Sequence, residues 1–170
     1  MTPFFSAISG RTLAQGDLLT ECPIPFYPAD FGRSSFEMPF AIGRLIVISQ
    51  SCDLANRKLP QVALCPVFGI GEFAATDAKF VKSKELENLR KGRYEALHML
   101  ASPESPADNG SALIVDFRQI ISLPFDFIEG HAAKSGDRWR LDSPFVEHFS
   151  QGFARFFMRV GLPSSIPEFK

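Results

Sequence analysis

The sequence has few of the features that mark membrane, secreted or strongly charged proteins. Its longest apolar runs, such as residues 45–48, fall far below the roughly 18 residues needed to span a bilayer. The N-terminal residues carry no basic segment followed by a long apolar one, so we expect no signal peptide and a cytoplasmic protein. Lys and Arg number 18 against 19 Asp and Glu, a net charge of -1 that argues against a broad electrostatic attraction to nucleic acid.

Cysteine is also scarce, and none of the three cysteines belongs to a Cys-x-x-Cys pair. Cys22, Cys52 and Cys65 therefore indicate reduced thiols rather than disulfides. Together with a histidine they would have the number of ligands that zinc needs, but structural zinc sites usually bring their ligands as close pairs. The sequence therefore predicts no metal and no cofactor.

Tyr and Trp are rare, with two and one residues, whereas Phe occurs 18 times. Because binding surfaces favour aromatic side chains that carry a polar atom, the excess of Phe indicates a large dry core. A chain of this length buries roughly 70% of its unfolded surface and needs neither disulfide nor metal for its stability. We expect a single domain over residues 1–170.

The pattern of apolar residues predicts a mainly β protein. The clearest strand covers residues 44–49, whose nearly continuous β-branched run predicts burial on both faces, and a second strand follows at 61–68. Four prolines place residues 22–40 in a long loop, with an extended ribbon as the alternative. The other predicted elements are a strand entered at Gly16-Asp17, an insertion over 70–111 with a helix at 82–91, strands at 94–100, 112–116 and 119–123, and a hairpin formed by 125–128 and 138–141.

The best-defined local element is a C-terminal helix over residues 143–161, with Ser143 as a candidate cap. Its phenylalanines recur at helical spacing, and we expect Phe149, Phe153 and Phe157 to pack on the sheet. The opposite side carries polar residues, which indicate a solvated face. Their alternative role is to bind phosphate or an acidic partner. These residues are His148, Gln151, Arg155 and Arg159.

Three segments, in chain order, resemble the motifs of the MazF/PemK growth-inhibitor toxins. Residues 16–19 are similar to the opening Gly-Asp segment of that family. Residues 44–49 and 56–57 resemble its core strand and Asn-Arg pair, residues 63–67 its next strand, and residues 112–124 its later Asp-containing segment. The resemblance implies a small curled antiparallel β-barrel with short helices, a homodimer, a protein partner such as an antitoxin, and metal-independent cleavage of single-stranded RNA.

Polar or reactive side chains occupy residues 49–53, directly after the core strand, where binding groups are often placed. A ribonuclease would use Asp53 to take the proton of the RNA 2′-hydroxyl and Arg44 to stabilise the phosphorane, with Ser51 as a further catalytic residue. The strand from Arg44 to Ser49 alone spans about 15 Å when it is extended, so a chain reversal or a second subunit must bring Arg44 and Asp53 together. The residues expected to position phosphates are Arg57, Lys58 and Arg118.

Three alternatives to this assignment stay open at this point. The Ser and Asp side chains can simply form the turn and cap backbone donors. Cys52 can be a reactive thiol if His98, His131 or His148 lies beside it. Phe68 stands where the MazF/PemK family has a hydroxyl residue, which favours a non-catalytic protein-interaction or accessory module of a bacterial toxin–antitoxin or defence system that kept the barrel.

Overall fold

A computed structural model describes residues 3–32 and 37–158 of the chain, and these residues form a mainly antiparallel β protein with short helices. The strands are β1 (Phe5–Ile8), β2 (Asp17–Pro25), β3 (Phe40–Val47), β4 (Gln61–Gly69), β5 (Leu97–Leu100), β6 (Leu113–Asp116), β7 (Ile121–Pro124) and β8 (Arg138–Leu141). The α-helices are α1 (Ser51–Ala55), α2 (Ile70–Thr76), α3 (Ser83–Arg90), α4 (Phe125–Lys134) and α5 (Phe145–Phe157). Short 3₁₀ turns lie at Ala78–Val81 and Asn109–Ser111.

All eight described strands belong to one sheet, in the order β1-β8-β2-β3-β4-β6-β5. Strand β7 pairs with the first half of β4, and β6 pairs with its last residues. The path of hydrogen-bonded strands ends at β1 and β5, so the described strands do not close into a barrel. The predicted antiparallel β class is therefore confirmed, whereas barrel closure is not.

The second half of the central strand β3 is buried on both faces, as its β-branched sequence predicts. Leu45 and Val47 pack in one apolar cluster, and Ile46 packs in another. Helix α4 contributes its apolar residues to the first cluster and α5 contributes Phe149 to the second. Because successive side chains of a strand point to opposite faces, the two helices cover opposite sides of the sheet.

The prediction of a long loop over residues 22–40 is wrong at both ends, where the alternative of an extended ribbon is found instead. Strand β2 continues to Pro25, which lies opposite Phe40 of β3. An extra residue bulges out between Leu19 and Cys22, where Glu21 has a φ of 51°. Beyond the bulge, β2 pairs only with β3 among the described strands. Each strand of a two-stranded arm has one side without a neighbouring strand. A proline tolerated there removes a backbone N–H that would pair with no other strand.

The predicted hairpin of residues 125–128 with 138–141 is also wrong. Residues 125–134 form helix α4, which buries Phe125, Ile128 and Ala132 at helical spacing. Residues 138–141 form β8, which pairs with β1 and β2 instead. The short apolar run at 125–128 fits the residue spacing of a strand as well as that of a helix, and tertiary packing decides between the two structures.

The C-terminal helix is confirmed, but it differs from the prediction in its start and in its apolar face. It begins at Phe145, and Ser143 does not cap it. Phe149 is fully buried and Phe153 is partly buried, whereas Phe157 is 53% exposed. The predicted burial of Phe157 is therefore wrong, and the predicted end, including Arg159, lies outside the described residues.

The predicted helix at 82–91 is confirmed as α3, although Lys82 rather than Ser83 occupies its N-cap position. The 70–111 insertion holds α2, α3, β5 and both 3₁₀ turns. None of the helices in the described parts of the chain has the length and hydropathy needed to cross a bilayer.

Candidate active site

Arg44 lies within β3, opposite Val67 of β4. Its guanidinium is ion-paired with the carboxylate of Glu72 in α2. The same carboxylate accepts a hydrogen bond from the backbone N–H of Gly69 at 2.6 Å, which holds it at the start of α2. Arg44 is therefore occupied by an acidic partner from a helix that the sequence did not reveal.

Asp53 lies in α1, beyond the other end of β3, with the ammonium of Lys58 3.5 Å away. The Ser51 hydroxyl accepts a hydrogen bond from the backbone N–H of Gln15 at 3.0 Å. The structure thus gives Ser51 and Asp53 local partners, and Asp53 follows the C-terminal end of β3, whereas Arg44 lies near the middle of that strand. Within the described chain, the three proposed catalytic residues do not form one constellation.

The arginines expected to position phosphates are paired with carboxylates. Arg57 donates to Asp126 at 3.1 Å and to Glu129 at 2.6 Å, and both hydrogen bonds raise its pKa. Arg118 forms a two-point contact with Asp116, at 2.8 Å and 2.7 Å. The Arg57 pairs tie the segment after α1 to α4, whereas the Arg118 pair is local to the end of β6.

The three cysteines do not come together either. Cys22 and Cys65 are buried, and loss of solvent raises their thiol pKa to about 11 and about 12, which makes them poor nucleophiles. Cys52 is exposed and its Sγ lies 3.8 Å from the Asp53 carboxylate, with no histidine among its described contacts. The described residues contain no group of three or more His, Cys, Asp or Glu side chains that could hold a metal ion.

A different set of reactive side chains meets in a cleft of about 350 Å³ beside α5. One wall is the edge strand β5, the second is the polar side of α5, and the third is the end of α3 with the turn that follows it. Phe117 also lines the cleft. The polar and charged lining residues are Arg90, Lys91, Tyr94, Glu95, His98, His148, Gln151 and Arg155.

His98 on β5 is held against the inner wall of this cleft by aromatic rings. Its imidazole lies 5.9 Å from the ring of Phe117 and 5.6 Å from that of Phe149, measured between centroids. Helix α5 approaches it closely at Gly152, where an added Cβ would lie 3.0 Å from the His98 Nδ1 atom. Burial, and to a smaller extent the neighbouring His148, lowers the pKa of His98 from 6.5 to about 4. His98 is therefore a neutral imidazole at pH 7.

The rim of the cleft is positively charged. Arg90 and Lys91 both bind the carboxylate of Glu87, at 2.7 Å and 3.0 Å, and this pairing lowers the Glu87 pKa to about 2. Arg155 is exposed on α5, and no carboxylate of the described residues is paired with it. An anion in the cleft would therefore meet the guanidinium of Arg155 without displacing an internal ion pair.

The sequence does not predict this cleft, although several of its lining residues are already candidates for other roles. His148, Gln151 and Arg155 were identified as one polar helical stripe, and His98 as a candidate partner for Cys52. What the sequence did not show is that α5 lies across the edge strand β5, because that contact joins segments about 50 residues apart.

Comparison with known proteins leaves the interpretation to this geometry. No protein-family model matches the chain, and no curated protein matches it with statistical significance. The side chains themselves and the sequence motifs therefore carry the evidence for function.

The lowered pKa of His98 predicts a specific dependence of stability on pH. The unfolded chain binds a proton at this residue near pH 6.5, whereas the folded chain binds it only near pH 4. The free energy of unfolding should therefore fall by about 2–3 kcal/mol as the pH drops through this window. In urea titrations at several pH values, His98→Gln should remove this part of the slope. Equal slopes for the two proteins would contradict the burial of a neutral His98.

Proposed function

We propose that the protein is a metal-independent endoribonuclease that acts on single-stranded RNA, with its reaction centre at His98 and His148. The observation that carries the proposal is the cleft in which a neutral histidine, a second histidine and an arginine converge, and this arginine is paired with no carboxylate of the described residues. The centre differs from the Arg44 and Asp53 pair that the sequence suggested, because Arg44 is occupied by Glu72.

The cleft supplies each group that cleavage of RNA requires. Neutral His98 takes the proton of the 2′-hydroxyl, whose oxygen then attacks the adjacent phosphorus. His148 donates a proton to the departing 5′-oxygen as the P–O5′ bond breaks. Arg155 stabilises the charge that develops on the phosphorane. The products are a 2′,3′-cyclic phosphate and a 5′-hydroxyl, and DNA is not cut because it lacks the attacking hydroxyl.

The resemblance to the MazF/PemK toxins supports the same class of activity. The segments that carry it fall on β2, on the β3–β4 pair and on β6–β7, and these strands are neighbours in the sheet. We include in the proposal the curled barrel form of that family, a homodimer and an antitoxin-like partner. Light scattering at micromolar concentration that shows a monomer would remove the homodimer from it.

The direct test is cleavage of a DNA oligonucleotide that contains one ribonucleotide. In a chelator, we expect one cut at the ribonucleotide, with cyclic phosphate and 5′-hydroxyl ends identified by mass spectrometry. The all-DNA oligonucleotide of the same sequence is the control and should stay intact. Raising the salt concentration should slow cutting, since binding depends on contacts between cations and phosphates. An intact ribonucleotide substrate under all these conditions would remove the ribonuclease proposal.

A non-catalytic interaction module is the second candidate, and the apolar arm of β2 and β3 favours it. The arm and its connection expose large apolar side chains, a pattern typical of surfaces that bind another protein. They are Phe26, Tyr27, Phe31, Met38, Phe40 and Ile42. Expression of the chain alone separates the candidates, because a ribonuclease toxin should arrest growth and an interaction module should not.

A further inference from the structure

The cleft continues past the two histidines into a second cavity of about 450 Å³. The two cavities share three lining residues, Arg90, His98 and His148. The second cavity has a different lining, because it contains neither Lys91 nor Arg155 and is bounded mainly by apolar side chains, together with the amide of Asn109 and the carboxylate of Asp108. These residues include Phe4, Met99, Pro106, Asn109 and Phe145.

One wall of the second cavity is aromatic and flat. The rings of Phe4 and Phe145 are stacked, with centroids 3.9 Å apart and planes inclined by 23°. Both side chains are only partly buried, so the pair offers apolar surface to the cavity. Flat aromatic surfaces of this kind bind nucleobases of single strands by stacking.

Another part of the lining carries a polar side chain on a turn whose backbone is held in place. Asn109 opens the 3₁₀ turn that Asp108 caps, since the Asp108 carboxylate accepts from the Gly110 N–H at 2.9 Å and from the Ser111 hydroxyl at 2.5 Å. The Asn109 side chain makes no hydrogen bond within the described chain. Its amide offers one acceptor and two donors, which is the set that pairs with the edge of a base.

We propose that this second cavity is a nucleobase subsite, which holds the base of a nucleotide next to the cleaved phosphate. The inference rests on the proposed ribonuclease function, because the shared histidines place the reacting phosphate between the two cavities. The base stacks on Phe145 and pairs with Asn109, while the phosphate meets His98, His148 and Arg155. The substrate class is therefore a single strand with at least one flanking base, rather than an isolated phosphodiester.

The test uses the oligonucleotide with one ribonucleotide and two versions with an abasic residue, on the 5′ or the 3′ side of the cleaved bond. Stacking contributes about 1–3 kcal/mol per base, so one abasic substrate should be cut about 5- to 150-fold more slowly than the intact one. The Phe145→Leu and Asn109→Ala variants should lose activity on the intact substrate. On the sensitive abasic substrate they should match wild type.

The matched control is Phe127→Leu, because Phe127 is exposed on α4 and lines neither cavity. Equal cutting of the intact and both abasic substrates would overturn the subsite while the ribonuclease function stood. Equal losses by the Phe145→Leu variant on intact and abasic substrates would also overturn it, since they would indicate a structural role. If no substrate is cut, binding of the uncut all-DNA oligonucleotide should still weaken when the base is removed; unchanged binding would exclude the subsite independently of catalysis.

Discussion

Replacement of His98 by glutamine is expected to lower kcat/KM for RNA cleavage by at least about 100-fold, because a general base contributes about 100- to 10,000-fold to such reactions. Glutamine keeps a polar side chain of similar length but cannot take the proton of the 2′-hydroxyl. The pH profile should distinguish a base from a structural residue. On the acid side of the wild-type profile, kcat/KM should fall only as the pH approaches 4, where His98 becomes protonated.

His131→Gln is the matched control, because this histidine belongs to α4, lies 2.8 Å from the carbonyl of Thr20 through Nε2, and does not line the cleft. It should cut RNA at the wild-type rate. Arg44→Ala separates the two candidate centres. If Arg44→Ala abolished cutting and His98→Gln did not, the reaction centre would lie at Arg44, as the MazF/PemK resemblance implies.

Local chemistry explains which elements were predictable. The β-branched run of β3 and the phenylalanine spacing of α5 each dominate their own segment, so these elements were recognised. Residues 125–128 did not determine their own structure. They became the first turn of α4 because Ile128 and Ala132 complete an apolar face that packs on the sheet, and such packing overrides local preference.

The candidate site was less predictable than the fold, because its properties arise from contacts between distant segments. Nothing near His98 in the sequence indicates a lowered pKa, which comes from burial and from His148 on another element. Likewise, nothing near Arg44 reveals Glu72, which reaches it from α2. A sequence shows which ionisable residues exist, whereas desolvation and pairing, which set their chemistry, belong to the fold.

The Gly-Asp segment at residues 16–17 resembles the opening motif of the MazF/PemK family, but its contacts in this fold give it a structural role. Asp17 is fully buried between the guanidinium groups of Arg138 and Arg140. Its Oδ2 accepts from Arg138 Nη2 at 3.2 Å, from Arg140 Nη2 at 2.9 Å and from the backbone N–H of Ala14 at 3.1 Å. The two arginines also donate to the carbonyl of Thr12, which ties the segment before β2 to β8.

Asp17→Ala is therefore expected to lower the free energy of unfolding by about 3–5 kcal/mol, because it leaves the buried charge of Arg138 without its counter-charge. For a chain of this size the melting temperature should fall by roughly 6–20 °C. Denaturant titration followed by circular dichroism measures the change. The matched surface variant is Asp126→Ala, whose carboxylate is paired with Arg57 but 89% exposed, and it should cost less than about 1 kcal/mol. An Asp17→Ala protein as stable as Asp126→Ala would show that the carboxylate is not what holds the two arginines in place; the carbonyls of Gly10 and Thr12 would then have to satisfy Arg138 alone.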